Sequence, residues 1–257
     1  MSEATTVPRA GTASIGSTYL TLVRWTLAQL GPMLPLVIVV QAMLAAGVII
    51  GFGFLMPNLD PSSALRLSTG APTVLLLVLG LVIVPQGVAT ARLNGTFTYM
   101  RSLPMHRPLM LAADLSVWLL VALPSVAAAV LVAWWYHDVQ FSIDWPLLLA
   151  GTVLVTVMAT ATGHAIAVTL PPMMAQLLSQ VLVFLVMLFS PINFPAAQLP
   201  RWFQVVHDVL PIEAGANLVR AGLAADAFTA SPRDVLVLAA WTLVSLGLSI
   251  RALTARP

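Results

Sequence analysis

Six long apolar stretches, separated by shorter polar connections, follow one another along the chain. Each is long enough to cross a hydrocarbon core about 30 Å thick, since a helix rises about 1.5 Å per residue. The pattern therefore predicts an all-α, polytopic membrane protein with six transmembrane helices. The predicted spans cover approximately residues 33–56, 71–91, 109–134, 146–170, 173–190 and 234–252.

Residues 15–31, just before the first span, have apolar positions at helical spacing. A helix with one broad apolar face is suited to lie in the plane of a membrane interface. We therefore predict an N-terminal amphipathic interface helix here, with an early extension of the first span as the alternative. Residues 1–14 are small and polar, without the apolar core of a signal peptide, and are predicted to form a flexible cytoplasmic tail. Residues 15–257 then form a single domain.

The segment 191–233, between the fifth and sixth spans, is too long for a simple connector and is rich in apolar residues. Pro191, Pro195 and Pro200 prevent one continuous helix. Beyond them, 201–210 and 212–223 have helical spacing but are too short to span. We predict a re-entrant helical insertion, whose backbone is tolerated in a membrane only where protein buries it.

The composition excludes several classes of protein. Hydrophobic residues make up 60% of the chain and charged residues 8%, whereas soluble domains carry about 25% charged residues. A net charge of +2 gives no basic surface for nucleic acid. The absence of cysteine excludes disulfides, thiolate metal sites and cysteine nucleophiles.

All eleven basic residues are arginine. A Walker A loop needs a lysine to reach the β- and γ-phosphates, so this chain cannot carry that motif. The four histidines lack metal-ligand spacing, and neither paired intramembrane carboxylates nor a nucleophile elbow occurs. We therefore expect a non-catalytic subunit with no metal site and no cofactor of its own.

Arginine placement predicts the orientation. With the N-terminus inside, seven arginines lie on the cytoplasmic side and four outside, as the positive-inside rule favours. The aromatic residues at 134–136 and 145 then form a belt at the outer interface. We expect a multi-pass protein of a bacterial cell membrane, with both termini cytoplasmic.

Two motifs resemble the ABC-2 permease family, the membrane subunits of type 2 ABC exporters. The outer motif is Ser-Pro-x-x-aromatic-Pro, then Leu-Pro-x-Trp, a proline and a later arginine. Its positions here are Ser190, Pro191, Phe194, Pro195, Leu199, Pro200, Trp202, Pro211 and Arg220. The resemblance implies that this segment, with Glu213, forms an outer gate. The structural alternative for Glu213 is that it stabilises the N-terminus of a helix.

The second motif lies in the loop after span two. Gly95, Thr96, Phe97, Met100, Ser102 and Pro104, followed by Arg107, match the family pattern. The resemblance implies a short coupling helix that docks on an ATPase. Phe97, Tyr99 and Met100 suit a hydrophobic groove on that partner. Arg101 and Arg107 suit partner carboxylates or anionic headgroups, although the positive-inside rule alone also explains them. The family's usual acidic residues are replaced here by Ala91, Leu93 and Thr98.

The resemblance implies a permease that exports hydrophobic or amphipathic cargo, drug-like or lipid-like. The implied partners are two copies of a cytoplasmic ABC ATPase that binds ATP and Mg, a second permease copy (identical or paralogous) and membrane lipid. An ion-driven secondary transporter and a non-transporting assembly or immunity protein remain alternatives.

Three further polar features lie inside the spans. Gln176 and Gln180 share one face of span five, where they line a cargo path or bond a neighbouring helix. Asp114 lies two turns from Arg107 and either pairs with it or serves transport. His164 either relays protons or makes a polar contact between helices.

Overall fold

The computed structural model describes residues 14–55, 60–103 and 106–254. Within these ranges the regular elements are helices, apart from one isolated bridge between Ser142 and Ala224. The helices are α1 (Ile15–Leu30), α2 (Leu34–Leu55), α3 (Pro61–Val78), α4 (Val84–Leu93), α5 (Thr96–Ser102), α6 (Arg107–His137), α7 (Trp145–Thr169), α8 (Pro172–Phe189), α9 (Arg201–Val209), α10 (Pro211–Leu223) and α11 (Pro232–Thr254).

The predicted fold class and the number of spans are confirmed. In the described part of the chain six helices are long and apolar enough to cross a membrane: α2, α3 continued by α4, α6, α7, α8 and α11. Helices also form where α1, α9 and α10 were expected. That α1 lies in the interface and that α9 and α10 re-enter the membrane stay predictions.

The second span begins ten residues before the predicted start at residue 71. Pro61 occupies the first turn of the helix, and the side chain of Asp60 accepts a bond from the Ser63 amide. The residues that follow include several serines and Arg66, so the apolar pattern does not reveal this extension. At 33 residues and about 1.5 Å each, the span is longer than the hydrocarbon core is thick.

A π-helical turn, Leu79–Ile83, joins α3 to α4. The amide of Val84 bonds the carbonyl of Leu79, five residues back, and Pro85 follows at once. Proline lacks an amide hydrogen and collides with the carbonyl four residues earlier, so a local widening of the helix accommodates it. The π turn lies against α7, where Gly80 approaches Ala159 and Gly163.

The second span and α7 occupy the centre of the bundle, and α10 packs against α3, α7 and α11. The outer helices α2, α8 and α11 present many exposed apolar side chains, such as Leu36, Leu188 and Leu243. Helix α1 packs along α6 through Leu22 and Met110 rather than continuing α2.

The bundle has two ends, which we name by their short helices. At the α5 end, the Arg92 guanidinium donates to the carbonyls of Ala167 and Leu170, at the end of α7. At the α10 end, the amide of Asp144 donates to the carbonyl of Gly222 at 2.9 Å. At each end, therefore, hydrogen bonds join α7 to one other helix.

Candidate functional site

The loop after α4 forms the short helix predicted there. Gly95 precedes it with φ of 77°, a left-handed conformation that glycine adopts without a Cβ penalty. The amide of Tyr99 then bonds the Gly95 carbonyl at 3.0 Å and closes the first turn of α5. Thr96 and Ser102 are the first and last residues of this helix. Pro104 lies outside the described residues.

The three large side chains of α5 have different surroundings. Met100 packs on a cluster formed by Leu22 of α1 and Met110 of α6. Phe97 lines a cavity between α5 and the bundle, together with Met100. Tyr99 is 59% exposed, so it is the large side chain of α5 that lies at the surface. The sequence predicted all three as one docking surface, because seven residues do not indicate which side packs inward.

The arginines of this loop also have different partners. The Arg101 guanidinium lies over the Phe97 ring, 6.0 Å from its centroid. Arg107 donates to the carbonyl of Leu253 at 2.8 Å, near the end of α11. A cation at the last carbonyls of a helix stabilises its dipole. Arg107 therefore holds α11 at this end of the bundle.

The cavity behind α5 contains the two ionisable side chains noted in spans three and four. The Thr26 hydroxyl donates to the Asp114 carboxylate at 3.2 Å. His164 is buried, and its Nδ1 lies 3.0 Å from the Ser249 hydroxyl. Among the described residues Asp114 forms no ion pair, so the pairing with Arg107, one of its two predicted roles, is not formed, and a role in transport stays a prediction. His164 makes the polar contact between helices that was one of its two predicted roles.

At the other end, the proline-rich segment after α8 is fixed by Arg220. Ser190, Pro191 and Ile192 are buried. The Arg220 Nη2 donates to the Ile192 carbonyl at 2.6 Å, and its Nη1 donates to Asn217 Oδ1 at 2.9 Å. The first residues of the insertion 191–233 are thus attached to α10, which lies later in the same insertion.

Arg220 itself is 2% exposed and lies over the Phe228 ring, 5.4 Å from its centroid. The Arg66 guanidinium lies 5.6 Å from the same centroid. Burial, with a smaller effect of Arg66, lowers the pKa of Arg220 to about 9, so the guanidinium stays charged at neutral pH. The family motif contains this arginine, but its partner 28 residues earlier was not predicted.

The other predicted gate residues do not form one surface. Phe194, Pro195 and Leu199 are partly buried, whereas Trp202 on α9 is 69% exposed. Pro200 directly precedes α9 and Pro211 is the first residue of α10, so the two prolines set where these helices start. Glu213, in the first turn of α10, is partly buried.

Glu213 provides a test of the electrostatics at this end. Burial raises its pKa above the ordinary value of 4.5, and Asp208 and Asp234 raise it further. A carboxyl group whose folded pKa is raised costs no stability below its unfolded pKa. Its destabilising effect grows as the pH rises above the unfolded pKa and is complete above the folded pKa. We expect Glu213→Gln to match the wild type in thermal unfolding midpoint near pH 4 and to exceed it at pH 7.

The control for this experiment is Asp226→Asn, which removes an exposed carboxylate at the same end. The midpoints of the two variants are compared at both pH values, so that the general effect of removing one carboxylate from this end is subtracted. A Glu213→Gln difference that is constant between pH 4 and pH 7 contradicts the assignment.

The glutamines of α8 lie in a polar groove. Gln176 and Gln180 line it together with Gln86 and Thr90 of α4. Gln86, Thr90 and Gln180 are exposed on the surface of the isolated chain. Gln86 and Thr90 were not predicted to belong to this groove, although the same signal that indicated Gln176 and Gln180, two polar residues four apart in an apolar run, marks them as well.

Comparison with protein families matches residues 15–224 to the ABC-2 type transporter family. A comparison with curated proteins finds no match. The matched region contains both motifs, the loop around α5 and the segment from Ser190 to Arg220. Because the match covers most of the 257 residues, the chain belongs to the ABC-2 type transporter family, as a membrane permease component.

Proposed function

We propose that this chain is the permease subunit of an exporter driven by a separate cytoplasmic ATPase that binds ATP and Mg. ABC-2 permeases work with an ATPase subunit, and this chain has no lysine with which to build a Walker A loop. The observation that carries the proposal is α5. It is a separate short helix at one end of the bundle, with an exposed tyrosine directed outward.

Contacts of α5 couple its movement to the helices of the bundle. Met100 packs on α1 and α6, and α1 is bonded to α6 at two further points. The hydroxyls of Tyr19 and Ser116 lie 2.6 Å apart, and Thr26 donates to Asp114. A partner that moves α5 therefore moves α1 and the start of α6 together. The α5 end is then the cytoplasmic end, as arginine placement also favours.

The polar groove supports a cargo path shared by two permease copies. Exposed amides within a membrane-spanning helix cost free energy in lipid, because lipid offers them no hydrogen bonds. Gln86, Gln176 and Gln180 are therefore expected to face protein or water. A second copy, identical or paralogous, placed against α4 and α8 encloses them in a path for hydrophobic or amphipathic cargo.

The insertion 191–233 is proposed as the outer gate of this path. Its support is the attachment of Ile192 to Arg220 and the burial of α10 among α3, α7 and α11. Movement of those helices therefore also moves α10, and with it the gate.

Co-purification with the ATPase tests the proposal. The chain is expressed together with the open reading frames that adjoin its gene, and the amount of any Walker A ATPase retained on the affinity-tagged permease is measured. We expect Tyr99→Asp to lower this amount at least tenfold, because a carboxylate replaces the aromatic contact of α5.

The matched control is Leu93→Asp, which places the same charge at another exposed position two residues before Gly95. It should retain the ATPase, since related permeases carry acidic residues beside this loop. Full binding by Tyr99→Asp, or equal loss in both variants, contradicts docking through Tyr99. Absence of the ATPase from the wild-type sample contradicts the proposed function and favours a secondary transporter or a non-transporting protein.

A further inference from the structure

The cavity behind α5 is a small space near one end of the spans, open to the surface on one side. Its volume is about 140 Å³, and it lies between α1, α4, α5, α6, α7 and α11. Asp114, seven residues from the start of α6, is about 10 Å along that helix at 1.5 Å per residue.

The charge in this cavity has no cationic partner from the described residues. Asp114 receives one hydrogen bond from Thr26, and neither an arginine nor a histidine among those residues forms an ion pair with it. The nearby Arg107 is bonded instead to the carbonyls at the end of α11. Acidic side chains inside spans are rare and usually face a partner or a pathway. A carboxyl group in this position can serve as the counter-ion of a bound cation.

The walls of the cavity specify which kind of cation. Trp25, Phe97 and Trp118 line it with aromatic rings, and Met100 and Met110 add thioether surface. Aromatic faces attract organic ammonium groups, and quaternary ammonium ligands are bound in this way. A cavity of about 150 Å³ accommodates a molecule as large as benzene, and a trimethylammonium group has similar bulk. Hydrated metal ions gain little from such walls, because they prefer oxygen ligands.

The mouth of the cavity gives room for an attached chain. Trp25, Gln29 and Gly87 are lining residues that are themselves exposed. A Cβ added at Gly87 would meet no atom within 4 Å. A molecule whose head occupies the cavity can extend an alkyl chain through this opening along the apolar surface of the bundle.

We infer that this cavity binds the ammonium head of a cationic amphiphile, with Asp114 as its counter-ion and Trp25, Phe97 and Trp118 as its walls. The inference rests on the proposed function in one respect, because it names the chemical class of the cargo or of a cargo-like regulator. Phe97 and Met100 belong to α5, so a molecule in the cavity changes how α5, the proposed ATPase contact, packs against the bundle.

The test measures binding to the full-length permease in a neutral maltoside detergent. The probe is radiolabelled dodecyltrimethylammonium, added below its own micellar concentration, and dodecanol is the uncharged competitor. We expect saturable binding to the wild type that dodecanol does not displace. Asp114→Asn, which keeps the shape and the acceptor for Thr26, should weaken binding at least tenfold. Gly87→Phe should weaken it equally by filling the mouth.

Gly247→Phe is the matched control, since a Cβ added at Gly247 on α11 also meets no atom within 4 Å and lies away from the cavity. It should bind as the wild type does. The inference is overturned if the wild type shows no saturable binding, if Asp114→Asn or Gly87→Phe retains full affinity, or if dodecanol competes equally. Displacement by dodecylphosphocholine identifies the head as that of a phosphocholine lipid, whereas its failure identifies a free cationic amphiphile. Both results support the ammonium site.

This experiment is independent of the ATPase. If binding is observed but no ATPase co-purifies, the ammonium site is supported and only its role in export is contradicted. An ATPase that couples normally to a permease without saturable binding leaves the proposed function intact and removes this site.

Discussion

Replacing Gly163 with alanine is expected to lower the stability of the bundle strongly. A Cβ added at this position would lie 2.0 Å from the Gly80 carbonyl oxygen and 2.9 Å from the Pro85 ring. Neither contact is the end of a flexible side chain, so α7 has to move away from the π turn. Overpacking of this kind costs about 1–3 kcal/mol, and more where backbone must shift. The measurement is the free energy of unfolding of the purified permease in mixed detergent micelles.

The matched control is Gly247→Ala, the same chemical change in an open position of α11. Alanine there should be neutral or stabilising by up to about 1 kcal/mol, because it restricts the unfolded chain. Equal unfolding free energies for Gly163→Ala and Gly247→Ala would show that α7 and the π turn are not in close contact. Gly80→Ala provides the reciprocal change, since its Cβ would lie 2.5 Å from Ala159.

Replacing Arg220 with methionine is expected to release the beginning of the insertion. The variant loses two hydrogen bonds from a buried guanidinium and leaves the Ile192 carbonyl without its donor. Hydrogen bonds of charged groups contribute about 1.5–3 kcal/mol each, and an unsatisfied buried carbonyl costs about 1–3 kcal/mol. We expect faster amide hydrogen exchange in residues 192–199.

Arg233→Met is the control for this change, because it removes an exposed arginine at the same end. The side chain of Arg233 is 61% exposed and its nitrogen lies 3.6 Å from the Asp208 carboxylate. Exposed pairs of this kind contribute at most about 1 kcal/mol. Arg220→Lys should resemble Arg220→Met, since one ammonium does not replace the planar guanidinium. Unchanged exchange at 192–199 in both Arg220 variants would contradict the attachment.

The sequence predicted the spans well because the hydrophobic signal depends only on consecutive residues. It also predicted α9 and α10, since the prolines at 200 and 211 set where a helix starts. The first ten residues of α3 were missed because they are mostly polar or small, and the start of that helix is marked only by the Asp60 cap and Pro61.

The internal arrangement of the candidate site was harder to predict. Whether Phe97 or Tyr99 faces inward depends on α1 and α6, which are distant in sequence. The bond from Arg220 to Ile192 and the placement of Asp114 beside Thr26 are likewise tertiary contacts. By contrast, Gln86 and Thr90 were within reach of sequence reasoning, because two polar residues four apart share one helical face.

The π turn at Leu79–Ile83 also sets the rotational phase of the helix that follows it. One extra residue in a helix turns all later side chains by about 100°, since a regular turn holds about 3.6 residues. Gln86 and Thr90 come directly after this turn and face the glutamines of α8. A regular α-helix through the same residues would direct apolar neighbours there instead. The widening beside Pro85 thus determines which chemical surface α4 shows to α8.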